Sequence, residues 1–123
     1  MSICFRFNVK RLPKGTPEEL DKIASVAGLT CTVDFYKEEL FFVSVVPYDD
    51  ESKLHKQAIR KIVSILLERT EGPVIYQRGE LADEEHPDNY KEITVDEMLK
   101  EYYPDWDRVL AQFYVVVPES MNG

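Results

Sequence analysis

The sequence predicts an α+β fold, and three observations carry that expectation. Within residues 1–78 the hydrophobic pattern switches between period 2 and period 3.6 in the order β-α-β-β-α-β. Turn residues separate the segments, with Pro13, Gly15, Gly28, Pro47 and Gly72-Pro73 at the boundaries. Hydrophobic residues make up 44% of the 123 positions, enough to build a core without disulfide staples.

The elements follow in order. Ile3, Phe5, Phe7 and Val9 alternate with Cys4, Arg6 and Asn8, the pattern of a half-buried strand. Thr16-Pro17-Glu18-Glu19 then offers an N-cap, a proline at the first helical position and a capping-box glutamate. Leu20, Ile23, Ala24 and Ala27 share one face of the helix that follows, and Gly28 is placed to end it. Leu29, Cys31, Val33 and Phe35 alternate with polar residues in a second strand. After the turn Lys37-Glu38-Glu39, the run Leu40–Val46 is apolar nearly throughout, which predicts a strand at the centre of the sheet.

Asp49 and Asp50 can cap a long helix over about 51–69, with Leu54, Ala58, Ile62, Ile65 and Leu66 as its buried stripe, widened by Ile59 and Val63. Gly72-Pro73 ends that helix and Val74, Ile75 and Tyr76 begin a fourth strand. This order is that of the ferredoxin-like split βαβ arrangement, two helices over one face of a four-stranded antiparallel sheet. Residues 79–118 form an acidic extension to the core at 1–78. It comprises a charged loop over 79–92, a short helix opened by the capping box Thr94-Val95-Asp96-Glu97, and an extra strand over Phe113–Val117. The whole of 1–123 is expected to be a single domain.

Charge is segregated. The net charge is −8, yet residues 1–62 hold 10 Lys/Arg against 9 Asp/Glu, whereas residues 80–107 hold 11 Asp/Glu against Lys91 and Lys100. Such a field repels phosphate backbones and anionic membrane surfaces and attracts a basic protein. An RNA-binding sheet is disfavoured separately. Its third-strand motif needs a basic residue and a glycine before the aromatics, and Glu38-Glu39-Leu40-Phe41-Phe42 has neither.

Chemistry-bearing motifs are sparse. Cys4 and Cys31 fall on strands expected near the sheet centre, and nothing ties them to His55 or His86, so both read as inert core thiols. Asp83-Glu84-Glu85-His86-x-Asp88 lacks the spacing of a calcium loop and the ligand set of a zinc site. No catalytic residue, metal or cofactor is therefore assigned. A glycine-rich phosphate loop and the serine- or zinc-hydrolase motifs are missing too.

What remains is acidic and aromatic together. Val95, Met98, Leu99 and Tyr102 make the inward stripe of the short helix. Asp83, Glu84, Glu85, Asp88, Glu97, Glu101 and Asp105 supply charge, and Tyr103 and Trp106 supply interface anchors. The expected function is a non-enzymatic protein-binding module: an inhibitor or immunity-type protein that occludes the basic cleft of a nuclease toxin or nucleic-acid-processing complex. The partner is a basic protein, with no direct nucleic acid and no membrane. The alternative is a small dimeric protein, a homodimer, that binds or converts a small molecule at its sheet face. Two cysteines, no apolar run of 18 residues and no signal-peptide pattern predict a cytoplasmic location.

Overall fold

The computed structural model describes residues 5–37, 39–47, 52–78, 90–100 and 112–118. It is a mixed α+β fold with a six-stranded sheet and three helices. The elements are β1 (Phe5–Lys10), α1 (Thr16–Ser25), β2 (Leu29–Lys37), β3 (Leu40–Pro47), α2 (Ser52–Arg69), β4 (Glu71–Arg78), β5 (Lys91–Thr94), α3 (Val95–Lys100) and β6 (Gln112–Val117). The strand order is β2-β3-β1-β4-β6-β5, antiparallel throughout except that β5 runs parallel to β6.

Alternation along the strands sorts the sheet into two faces. On one, Phe5, Phe7, Val9, Val43, Val45, Val74, Tyr76, Ile93 and Val116 are buried in a single apolar cluster with the helix stripes. The registers Phe7↔Val43, Phe7↔Tyr76 and Val74↔Val116 line these residues up across the strands. Ring stacking reinforces the alignment, since Tyr76 lies 5.9 Å from Phe5 and 6.2 Å from Tyr114 between centroids.

Several expectations are corrected. The apolar strand β3 lies one place inside the edge; the central pair is β1 and β4. Lys91–Thr94 forms β5 where part of a charged loop was expected. Leu54 does not belong to the buried stripe of α2: it is 43% exposed, while His55, Ile59, Ile62, Val63 and Leu66 are fully covered. The stripe is thus rotated toward His55.

At α1 the capping box does not form. Gly15 is the N-cap in the left-handed region at φ 88°, no side chain caps the helix, and Thr16 is itself buried. A glycine there avoids the Cβ clash that a left-handed residue suffers. The equivalent box at α3 does form. Thr94 N–H donates to Glu97 Oε1 at 3.1 Å and Glu97 N–H donates to Thr94 Oγ1 at 3.2 Å.

Ion pairs fasten the elements from outside. Glu19 of α1 pairs with Arg69 of α2, and Arg60 of α2 with Asp96 of α3. Arg11, just past β1, reaches Glu39 at 2.6 Å and Glu71 at 2.7 Å. The Glu19–Arg69 contact joins the start of α1 to the end of α2, so the two helices run antiparallel.

Candidate functional site

Of the nine residues proposed from sequence for a partner surface, the structure places one. Glu97 is exposed on α3, and its carboxylate accepts from the N–H and the hydroxyl of Thr94. Asp83, Glu84, Glu85, Asp88, Glu101, Tyr103, Asp105 and Trp106 lie outside the described residues. The helix on which Glu97 sits is held as expected, with Val95, Met98 and Leu99 buried against the core, while Tyr102 lies outside the described residues.

Charge is segregated along the sequence itself: residues 1–62 carry a net of +1 and residues 63–123 a net of −9, most of it within residues 80–107.

Cys31 is a poor nucleophile. Burial, with a smaller contribution from the nearby Asp21 charge, pushes its thiol up to about 12. A thiolate is thus scarce at neutral pH. The residue lies on the edge strand β2, not near the sheet centre, and is covered because its side chain points to the helix side. Cys4 and His86 lie outside the described residues. Among the described residues no group of three or more His, Cys, Asp or Glu is placed to hold a metal.

The face of the sheet turned away from α1 and α2, helix-free among the described residues, is the surface that sequence reasoning underused. Two cross-strand rows compose it. One runs Thr32, Ser44, Arg6, Gln77, Phe113; the other runs Asp34, Phe42, Asn8, Ile75, Val115. Phe42, Ile75 and Val115 are half-buried, and Tyr36, 55% exposed, packs on Phe42 at 5.0 Å between centroids. At the middle lie the half-buried Arg6 and the buried Asn8 and Gln77, with Asn8 Oδ1 buried and lacking a hydrogen-bond partner.

A buried acceptor of that kind costs stability unless something donates to it. The arrangement can receive an apolar body at Phe42 and Ile75 and a polar group at Arg6 and Asn8. Alternation placed Arg6 and Asn8 opposite Phe5 and Phe7 from the start. Only the strand order shows that they stand on the central pair.

Phe5 and Phe7 are fully covered on the helix side, Phe41 points the same way, and Phe42 alone of the four reaches the helix-free face. Among the described residues no helix is long and apolar enough to cross a membrane. No family model matches the chain, and neither a curated protein nor a solved structure matches it.

Proposed function

We propose that the chain is a non-enzymatic protein-binding module of the inhibitor or immunity type, whose acidic segments meet the basic cleft of a nuclease toxin or nucleic-acid-processing complex. The observation that carries this reading is the segregation of charge, 10 Lys/Arg against 9 Asp/Glu in residues 1–62 but 11 Asp/Glu against Lys91 and Lys100 in residues 80–107. Acidity that served only solubility would be dispersed along the whole chain. Carboxylates laid where substrate phosphates would lie both steer the encounter and occlude the cleft. In this reading Asp83, Glu84, Glu85, Asp88, Glu97, Glu101 and Asp105 supply charge, and Tyr103 and Trp106 anchor. A cytoplasmic setting fits the free thiol of Cys31.

The test is capture of the tagged chain's partner from its native lysate at low and at high salt, followed by association kinetics. A basic protein retained at low salt and lost at high salt is expected. Reversing Asp83, Glu84 and Glu85 to Lys should then slow association, because exposed charges act over only about 8 Å at physiological ionic strength. An unchanged association rate in that variant overturns the reading.

A ferredoxin-like core over residues 1–78 is part of the same proposal. The succession β2-β3-β1-β4, antiparallel at each step, supports it, while β6 and β5 beyond β4 depart from a four-stranded sheet.

The second reading is a homodimer, or a small-molecule site, on the helix-free face. It draws on the exposed Tyr36–Phe42 pair and the unpartnered Asn8 Oδ1. A salt-insensitive dimer at micromolar concentration, dissociated by Phe42→Lys, favours it over the first.

A further inference from the structure

The antiparallel helices α1 and α2 are tied at one end by Glu19–Arg69 and enclose a groove of about 300 Å³ at the other. Ile23 and Val26 line it from α1 and its C-cap, and Leu54 and Ala58 line it from α2. Lys22 stands on one wall and Lys61 on the other. Two of the exposed large hydrophobic residues lie here, Val26 at 84% and Leu54 at 43%.

The charge along the groove is one-sided among the described residues. Helix N-termini favour acidic side chains, because unpaired N–H groups and the helix dipole place positive charge there. Asp49, Asp50 and Glu51 directly precede Ser52 in sequence and lie outside the described residues, whereas from Ser52 to Leu67 α2 carries Lys53, Lys56, Arg60 and Lys61 without a carboxylate. On α1, Glu19 is engaged at the far end with Arg69, and Asp21 lies toward Cys31 on β2. Among the described residues no acidic residue lines the groove. In a chain of net charge −8 this is a basic-rimmed apolar cleft.

We infer that the groove between α1 and α2 is a docking site for an acidic amphipathic helix of a partner protein. The occupant's apolar ridge lies on Ile23, Val26, Leu54 and Ala58, and its carboxylates meet Lys22 and Lys61. From Leu54 to Lys61 the α2 rail spans about 10 Å at 1.5 Å per residue, which matches anchors at i, i+3 or i+4, and i+7 on a docked helix. Lysines on both walls select a segment with carboxylates on both flanks of its apolar ridge, and they disfavour a basic one. The inference rests on Lys22, Lys61 and the apolar residues between them, so it stands whether or not a partner of the acidic stretch at 80–107 is found.

The test uses the full-length ¹⁵N-labelled chain and amide shift mapping with three probes. These are an amphipathic Leu/Glu helical peptide, its Leu/Lys counterpart, and dodecanoate. The Leu/Glu peptide is expected to shift amides of Lys22–Ala27 and Leu54–Lys61, and the double variant K22E/K61E to weaken it by roughly tenfold. Leu54→Ala, at an exposed site, weakens it while leaving the thermal unfolding midpoint near its starting value. Equal shifts from the Leu/Lys peptide, or shifts confined to the helix-free sheet face, overturn the inference. Dodecanoate acting at these amides while the acidic peptide is silent overturns it in favour of an acyl chain. Shifts at the same amides that grow with protein concentration alone overturn it in favour of a second copy.

Discussion

At Cys31 two facts act together: the side chain points under the helices, and that burial raises its thiol to about 12. In a Cys4→Ser background, a maleimide-type reagent at pH 8 is expected to leave the folded protein unlabelled and to label it at once in denaturant. Fast labelling of the folded chain would mean that β2 opens locally. Alternation with Leu29, Val33 and Phe35 made the burial of Cys31 legible from sequence. Its position on an edge strand was not, because strand order is set by long-range pairing that one segment cannot encode. Leu54 shows the same limit. Its spacing from Ala58 and Ile62 fits a buried stripe, but which side of the stripe faces the sheet depends on how α2 lies against α1.

At the level of elements, caps and ties decide more than propensity. The two capping boxes are equally readable, yet only Thr94 and Glu97 close one, because Thr16 is buried against the core and Gly15 takes its place. Thr94→Ala should cost about 1 kcal/mol, read as a lower denaturant midpoint with an unchanged slope. A much larger loss would indicate that Thr94 also holds β5 in register.

The tie between α1 and α2 has a pH signature. The hydrogen bond from Arg69 is the main cause that holds the Glu19 carboxyl below its usual range. Its contribution is present above the unfolded-state value and is lost as pH falls through the lower folded value. Glu19→Gln should therefore flatten the acid limb of Tm against pH as the pH falls through and below the ordinary carboxylate range. An unaltered limb would assign acid sensitivity to other carboxylates. Strand β5 escaped the sequence reading for an elementary reason. Of Lys91-Glu92-Ile93-Thr94, only Ile93 is buried, so no alternation stands out in four residues.

Across the whole molecule the dominant feature is a field, set by the acidic stretch over residues 80–107 in a chain whose first 62 residues are nearly balanced. Eleven carboxylates within residues 80–107 are costly at low ionic strength. Raising NaCl from about 20 to about 200 mM should screen them and lift Tm. A Tm that falls with salt would mean that attraction between this stretch and the rest of the chain outweighs the repulsion. This much was legible from charge counting alone, since electrostatic character needs composition and position but no topology. The groove between α1 and α2 was not legible, because it exists only where two helices distant in sequence come together.

Among the described strands, β6 follows β5 in the chain yet lies between β4 and β5 in the sheet. During synthesis, β1 to β4 emerge with all their mutual partners available, whereas β5 has no neighbour to pair with until residues 112–117 have cleared the ribosome. Until then β4 presents an open edge through Val74, Ile75 and Tyr76, the backbone that β6 later covers. A nascent chain paused before residue 112 thus displays a sticky strand that the finished protein hides. Pairing of residues 112–116 with β4 removes that edge from the reach of neighbouring chains.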